Sequence, residues 1–408
     1  MKYGCIGEHL KHSFSKEIHN ALSDYEYEIV EIERDRLDEF MTRRDFSAIN
    51  VTIPYKEAVI PHLYYIDEHA RLIGAVNTVV NRDGRLYGYN TDFYGMQKLI
   101  EHAGITLKDK KVVILGTGGT SKTAYAVANA LGARAVLRVS RERREGAIDY
   151  EELYEKHSDL EILINTTPKG MYPEIFGLAA DIDRFPSLSG VIDAVYNPLR
   201  TPLVGKAIER GIPAEGGLYM LVAQAVRASE IFIDKKYGEG ELSRVYNDIL
   251  MQKENIVLIG MPGSGKSTVG AILAEKLGRK LTDTDTMIVE EAGEDIPTLF
   301  EKYGEARFRE LECAAVSSLA ALTGRVIATG GGAILREENS RALKMNGRLY
   351  FLDRPLSALM PTEDRPTARD REMIEKRYNE RYSIYRRVAD EVIDADASAE
   401  EVAMKIIK

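Results

Sequence analysis

Two glycine-rich stretches have the residue types and spacing to hold phosphate groups. In Gly260-Met261-Pro262-Gly263-Ser264-Gly265-Lys266-Ser267-Thr268, four residues separate a first glycine from Gly-Lys-Ser. Backbone N–H groups of such a loop cradle a phosphate chain. The ammonium of Lys266 bridges the outer phosphate oxygens, and the Ser267 hydroxyl binds Mg²⁺. The pattern therefore predicts a nucleoside triphosphate held by Gly260, Gly263, Ser264, Gly265, Lys266, Ser267 and Thr268. The second stretch is Gly116-Thr117-Gly118-Gly119-Thr120-Ser121. Here the first glycine makes a tight turn, the next ones let the backbone approach a pyrophosphate, and a following helix adds partial positive charge. Gly116, Gly118, Gly119 and Thr120 are the expected dinucleotide contacts. Ser121 stands where a third glycine or alanine is usual.

The second strand of a dinucleotide fold decides which cofactor fits. An NAD site ends that strand on Asp or Glu, about 20 residues past the loop, to bind the ribose 2′-hydroxyl. This chain has Val139-Ser140-Arg141-Glu142-Arg143-Arg144 there. A carboxylate would repel a 2′-phosphate, whereas arginine forks match its oxygens. Ser140, Arg141 and Arg144 thus point to NADP.

Both loops need a strand before them and a helix after them. Val112–Leu115 and Ile256–Ile259 are short apolar runs in the right places, with helical patterns over 122–131 and after the second loop. Other apolar runs are Ile29–Ile32, Ala48–Ile53, Ala135–Val139, Ile162–Ile164, Val191–Val195, Val326–Ala328 and Leu349–Leu352. Helical patterns lie between most of them. Strands alternating with helices predict an α/β protein with parallel sheets. A helical stretch over 241–251, followed by Gln252-Lys253-Glu254 and a new buried strand, marks the expected boundary between two halves.

Composition narrows the function classes. The 408 residues carry a net charge of −9, with 44% hydrophobic and 29% charged residues. This is the profile of a globular protein without the basic footprint of a general nucleic-acid or membrane-surface binder. The start of the chain reads as a strand rather than a secretory signal, and no apolar run approaches the ~18 residues of a membrane span. Cys5 and Cys313 stand alone, as expected of thiols in a reducing cytoplasm. Small molecules are the expected partners.

Residues 1–250 resemble the shikimate dehydrogenase family. The resemblance rests on His12-Ser13-Phe14-Ser15, Asn50-Val51-Thr52-Ile53-Pro54-Tyr55-Lys56-Glu57, Gly74-Ala75-Val76-Asn77-Thr78 and Gly88-Tyr89-Asn90-Thr91-Asp92. It continues in Asn165-Thr166-Thr167-Pro168-Lys169-Gly170-Met171, Asp193-Ala194-Val195-Tyr196-Asn197-Pro198 and 217–225. It implies a two-lobed enzyme that reduces 3-dehydroshikimate to shikimate with NADPH. A substrate lobe would span 1–103, completed by a helix near 235–250, and a Rossmann NADP lobe 104–235. Lys56 and Asp92 are the implied pair for the proton that reaches the carbonyl oxygen, and which of them delivers it stays open. Ser13 and Ser15 would hold the substrate carboxylate. Thr52, Asn77, Thr91, Tyr196 and Gln224 would hydrogen-bond the substrate, and Gly217 would lie at the cofactor. Lys16, Phe93 and the Ser140-Arg141-Glu142 run depart from the family's usual residues.

From about residue 255 to the end the chain resembles shikimate kinase, a P-loop fold with a lid. The matching pieces are Asp283-Thr284-Asp285, Phe308-Arg309-Glu310-Leu311-Glu312, Ala328-Thr329-Gly330-Gly331-Gly332-Ala333, Asp364-Arg365-Pro366 and Arg381. They imply ATP-dependent phosphorylation of shikimate in a domain over 255–408. Asp283 would join Ser267 at Mg²⁺, and Asp285 would bind the acceptor hydroxyls and serve as base. Arg309 and Arg381 would hold the carboxylate, Phe308 and Gly331 would line the pocket, and Arg365 would close over the phosphoryl group. Met360-Pro361-Thr362 lacks the arginine that often lies against adenine, which implies a modest ATP affinity. Three alternatives stay open on the residues alone: a quinate-accepting, NAD-using first half, a different hydroxy-acid acceptor for the second, and one half serving as a binding or regulatory module, against which the intact Lys56, Asp92, Lys266 and Asp285 argue.

Overall fold

The structure, a computed structural model, describes residues 1–8, 10, 14–142, 144–360 and 370–407. The chain divides into two compact units, Met1–Leu250 and Met251–Lys408.

The first unit holds two sheets. One contains β1 (Tyr3–Gly7), β2 (Tyr27–Glu31), β3 (Ala48–Val51), β4 (Tyr65–Ile66), β5 (Thr78–Arg82) and β6 (Arg85–Tyr89), in the order β2-β1-β3-β5-β6-β4. Strands β2, β1 and β3 are parallel, and β5 runs antiparallel to both β3 and β6. The other sheet contains β7 (Lys111–Leu115), β8 (Ala135–Val139), β9 (Ile162–Asn165), β10 (Gly190–Asp193) and β11 (Ala214–Glu215). It is parallel throughout, in the order β11-β10-β9-β7-β8. Val112 to Leu115 are wholly buried, as a central parallel strand covered on both faces requires. Met96, Leu99 and Ile100 of helix Thr91–His102 and Ala124 and Val127 of helix Gly119–Ala130 belong to the apolar cluster of Val112 and Ile114. Leu153, Phe185 and Leu203 belong to that of Val113 and Leu115.

The strand order reverses at β7. Its successor β8 lies on one side and β9 on the other, so the loop after β7 opens at the point where an α/β sheet binds ligands.

The second unit has one parallel sheet: β12 (Asn255–Ile259), β13 (Leu281–Asp283), β14 (Val326–Ala328), β15 (Gly347–Asp353) and β16 (Glu391–Asp394). Its order is β13-β14-β12-β15-β16. The chain crosses from β14 over β12 to β15, so the glycine loop after β12 again opens at a reversal. Among the described residues, no helix is long and apolar enough to cross a membrane.

Three boundaries differ from the sequence reading. The helix after the first glycine loop begins at Gly119, not near Lys122, because Gly119, Thr120 and Ser121 already form its first turn after the extended Gly118. The apolar run 48–53 is a strand only to Val51. Beyond it the chain turns, Tyr55 N donating to Thr52 O at 2.9 Å, and Ile53 is left 74% exposed. Helix Glu241–Lys253 runs two residues past the expected end. Its Val245 and Ile249 pack with Phe14, Ile18, Leu22, Leu218 and Val222.

Candidate active sites

In the first unit, Lys56 follows the Thr52–Tyr55 turn, and its carbonyl accepts a bond from Val76 N at 2.8 Å. Its Nζ reaches Asp92 Oδ2 at 2.5 Å. Asp92 lies in the first turn of helix Thr91–His102, where a carboxylate is favoured. Asn77 fixes both partners of that turn. Its Nδ2 donates to Asp92 Oδ1 at 2.9 Å and to Thr91 Oγ1 at 3.0 Å, and its Oδ1 accepts Thr91 N at 2.8 Å. Thr91 Oγ1 reaches Gln224 Oε1 at 3.4 Å. Five residues expected at the site, Lys56, Asn77, Thr91, Asp92 and Gln224, are thus brought together. Thr52 sits four residues before Lys56 in the same turn, and Ser15 opens helix Ser15–Leu22. Tyr196 follows β10, its ring edge-on to Phe14 at 5.3 Å, and burial pushes its phenol above the usual range. Ser13 lies outside the described residues.

A polar layer behind this cluster was not assigned from sequence. Tyr27 Oη donates to Asn50 Oδ1 at 2.7 Å, Asn50 Nδ2 to Thr78 Oγ1 at 3.2 Å, and Thr78 Oγ1 to Asn77 Oδ1 at 3.1 Å. All four side chains are buried, and satisfied buried networks of this kind fix a single arrangement. The signal for Asn50 and Thr78 was their place inside the quoted motifs, beside Val51 and Asn77; Tyr27 lies outside them.

The dinucleotide loop leaves β7 at Gly116, whose φ of +107° favours glycine. A Cβ there would meet Thr166 Oγ1 at 2.8 Å. Gly118 caps helix Gly119–Ala130 with no side-chain hydrogen bond, so that terminus is free of a competing acceptor side chain. A Cβ added at Gly118 or Gly119 would meet nothing within 4 Å, which leaves open space over the loop for a pyrophosphate. Thr120 is in the first helical turn. Ser121, the residue that departs from the usual glycine, is buried and donates from Oγ to Gly116 O at 2.7 Å. Its hydroxyl closes the loop from beneath. Ser140 is buried at the end of β8, and Arg141 and Arg144 are exposed just beyond it. Gly217 packs on Ala194 and Val195, where a side chain would strike the Ala194 carbonyl. Lys122 Nζ pairs with Glu57 Oε1 at 2.6 Å, tying the cofactor helix to the neighbour of Lys56.

In the second unit, Gly260, Gly263 and Gly265 have φ of +149°, +82° and +92°. Lys266 is buried, and its Nζ donates to Gly260 O and Met261 O, each at 2.9 Å. The Ser264 Oγ is buried at the loop with no hydrogen-bond partner among the described residues. Ser267 Oγ donates to Asp283 Oδ2 at 2.8 Å, while Asp283 Oδ1 accepts Asp285 N at 2.9 Å. Thr268 is exposed in the same first turn of helix Lys266–Leu277. Among the described residues no three His, Cys, Asp or Glu side chains cluster to hold a metal. One hydroxyl and one carboxylate suit Mg²⁺, which takes its remaining oxygens from water and phosphates.

The acceptor side is built on the triple glycine after β14. A Cβ on Gly330 would collide with Asp285 Oδ1 and approach Glu312 Oε1 to 3.1 Å. One on Gly331 would meet Pro262 Cδ at 2.8 Å, and one on Gly332 would strike the Arg309 guanidinium. Asp285, Glu312, Arg309 and the phosphate loop therefore close on one bare backbone segment. Arg309 donates to Glu312 Oε2 at 2.7 Å and to Glu305 Oε1 at 2.9 Å. Burial would lower its pKa, but the two carboxylates more than offset this and hold it above the usual range. Burial raises the carboxyl of Glu312, which Arg309 counters. Arg381 is buried and donates to Gly331 O at 3.0 Å, and Tyr385 Oη donates to the same carbonyl. Phe308, expected in the acceptor pocket, puts its ring into the core with Ile288, Leu299 and Ala315. Arg365 lies outside the described residues.

The model of the shikimate dehydrogenase substrate binding domain matches residues 5–79. The NADP⁺ shikimate dehydrogenase of Clostridium beijerinckii is 36% identical over 267 residues, an alignment that takes in 60% of this chain and 98% of that protein. The chain belongs to the shikimate dehydrogenase family. Among the solved structures similar to it are two shikimate dehydrogenases. Shikimate dehydrogenase 1 from Peptoclostridium difficile has a TM-score of 0.56 at 34% identity, covering 61% of this chain and 98% of its own. Shikimate 5-dehydrogenase from Thermus thermophilus, solved in complex with NADP(H) and shikimate, has a TM-score of 0.55 at 26% identity, covering 61% and 99%. The shikimate kinase model matches residues 262–408. The chain thus joins a shikimate dehydrogenase to a shikimate kinase domain.

One further residue of the dehydrogenase unit emerges only from the packing. Asp193, at the end of β10, is fully buried and accepts Asn165 Nδ2 at 2.9 Å, Val195 N at 3.0 Å and Thr201 Oγ1 at 2.6 Å. It holds the turn that carries Tyr196. Burial raises its carboxyl to about 6, against the pull of these donors. A folded pKa above the unfolded one means stability present at low pH and lost as pH rises through 6. Between pH 5 and 7.5, wild type is expected to lose roughly 1 kcal/mol relative to Asp193→Asn, as read by denaturant unfolding of both proteins. A constant difference across that range would show that the carboxyl is not raised.

Proposed function

We propose that this chain catalyses two consecutive steps of the shikimate pathway, which leads to the aromatic amino acids. The first is reduction of 3-dehydroshikimate to shikimate. The second is phosphorylation of shikimate to shikimate 3-phosphate. The observation that carries this reading is the Lys56–Asp92 pair, held at 2.5 Å by Asn77, on a chain that also bears a complete phosphate loop. We assign the substrate lobe to residues 1–103 with the helix near 235–250, the NADP lobe to 104–235 and the kinase to 255–408.

Bound NADPH supplies the hydride for the first step. The residues of the chain do the rest. The Lys56 ammonium stabilises negative charge developing on the carbonyl oxygen, and the Lys56–Asp92 pair provides the proton that oxygen takes up. Asn77 keeps the Asp92 carboxylate turned to Lys56. Ser13, Ser15, Thr52, Thr91, Tyr196 and Gln224 orient the polyhydroxylated acid. Gly116, Gly118, Gly119 and Thr120 receive the pyrophosphate, and Gly217 gives close packing beside it. Ser140, Arg141 and Arg144 receive the 2′-phosphate. Arg141→Ser is expected to raise KM for NADPH roughly tenfold and leave KM for NADH within about twofold. Steady-state kinetics with both cofactors checks this, and equal losses with each would remove Arg141 from the 2′-phosphate site.

ATP with Mg²⁺ supplies the phosphoryl group for the second step. Ser267 and Asp283 would hold the metal, and Lys266 would leave its loop carbonyls for the outer phosphates. Asp285 orients the attacking hydroxyl and takes its proton, while Arg309 and Arg381 hold the substrate carboxylate. Glu312 and Glu305 aim Arg309. Arg365 would close over the transferring group.

A further inference from the structure

The side chains that hold Asp92 are themselves held by a one-way chain of hydrogen bonds. Its links lie on neighbouring strands. Asn50 of β3 and Thr78 of β5 face each other in the antiparallel register, and Tyr27 of β2 reaches across β1 to join them. The direction follows from what each group can do. A phenol that meets an amide oxygen must donate, so Tyr27 Oη at 2.7 Å fixes which end of the Asn50 amide is oxygen. Asn50 Nδ2 then donates to Thr78 Oγ1 at 3.2 Å and to the Asn77 carbonyl at 3.3 Å. Having accepted from Asn50, the Thr78 hydroxyl turns its own proton to Asn77 Oδ1 at 3.1 Å, closer than Thr91 Oγ1 at 3.4 Å.

The far end of the chain is anchored by packing. The Tyr27 ring is wholly buried and stacks on the His19 imidazole, with centroids 3.9 Å apart and planes 6° from parallel. His19 Nδ1 lies 2.6 Å from Tyr25 Oη, which in turn donates to Ser229 Oγ at 2.7 Å. Burial pushes the Tyr27 phenol well above its usual range and lowers His19 to about 3. At neutral pH the phenol therefore keeps its proton and the imidazole against it carries no charge, so the chain starts from a permanent donor.

At the near end, Asn77 Oδ1 takes the Thr78 hydroxyl and the Thr91 N–H, and its Nδ2 is left for Asp92 Oδ1 and Thr91 Oγ1. Asp92 Oδ2 is then the oxygen that meets Lys56. We propose that Tyr27 and Thr78 are positioning residues for the reduction: through Asn50 they fix the sense of the Asn77 amide, and with it the Asp92 oxygen presented to Lys56. The proposal rests on the reductase reading above. Without the phenol proton the Asn50 amide is free to turn its oxygen to Thr78. The Thr78 proton then leaves Asn77 for that oxygen, and Asn77 loses one of the two donors that orient it. A reacting pair held less firmly loses rate even when the change lies behind it.

The test is steady-state reduction of 3-dehydroshikimate by the full chain as wild type, Tyr27→Phe, Thr78→Val, Thr78→Ser and the Tyr27→Phe, Thr78→Val double variant. Tyr27→Phe and Thr78→Val are each expected to lower kcat roughly tenfold and to leave KM for NADPH within about twofold of wild type. Both break the same chain, so the double variant is expected to fall no further than the slower single one. Thr78→Ser keeps the hydroxyl and is expected to hold kcat within about twofold of wild type. Unchanged kcat in Tyr27→Phe would overturn the proposal. So would a double variant about a hundredfold slower, which would mark two separate packing defects, and so would Thr78→Ser as slow as Thr78→Val. If Tyr27→Phe did not fold, the contrast between Val and Ser at position 78 would decide alone. If wild type did not reduce 3-dehydroshikimate, the reductase reading itself would fail, and this proposal with it.

Discussion

Lys56→Ala is expected to lower kcat for reduction of 3-dehydroshikimate by roughly 10³-fold and to leave phosphorylation of shikimate unchanged. The size of the effect follows from the geometry. Lys56 Nζ and Asp92 Oδ2 meet at 2.5 Å with side chains only 21% and 12% exposed, so charge on the reacting oxygen has little water to stabilise it. The Ala variant also leaves the Asp92 carboxylate without its cation, and Asp92→Asn separates the two effects. Asn keeps the bond from Asn77 in one amide orientation and removes the negative charge. It is expected to lower kcat by roughly 10²-fold with little change in KM for NADPH. The comparison is made by stopped-time assays of both activities on the same preparations. A Lys56→Ala protein that reduced 3-dehydroshikimate within tenfold of wild type would remove the pair from the chemistry.

Lys266→Ala is expected to do the converse. It should cost the kinase roughly 10³-fold in kcat and leave NADPH-dependent reduction intact. Lys266 is buried and bound to Gly260 O and Met261 O, so its loss also frees two loop carbonyls. Lys266→Arg keeps the charge but cannot place it as a compact ammonium, and it is expected to retain nucleotide binding with most of the turnover lost. ADP release and nucleotide binding, measured side by side, tell the two contributions apart. Loss of reductase activity in either variant would show that the effect is not local to the phosphate loop.

What was readable in the sequence follows a physical divide. The glycine loops were legible because their chemistry is backbone chemistry: Gly116, Gly260, Gly263 and Gly265 take φ values that disfavour a side chain, and their spacing alone announces it. Arg141 and Arg144 were legible because they stand where a strand must end. Lys56 and Asp92 were legible only through motif resemblance. Nothing local brings two residues 36 positions apart into contact. That contact depends on the Thr52–Tyr55 turn, on β5 and on the cap of helix Thr91–His102.

Partners made by packing were out of reach. Asp193 reads as an ordinary acid until β9, β10 and the turn at Thr201 close around it. Glu312 was visible in a motif, but its hold on Arg309 depends on both lying on one helix face beside Gly330 and Gly332. Phe308 packs with Ile288, Leu299 and Ala315, and the Arg309 guanidinium lies over its ring at 5.3 Å, a double placement that composition alone does not reveal.

The most direct measurement supplies purified full-length chain with shikimate, first with NADP⁺ and then, separately, with ATP and Mg²⁺, following NADPH absorbance and ADP release. The account predicts both signals, with Lys56→Ala removing only the first and Lys266→Ala only the second. Shikimate giving neither signal would contradict it.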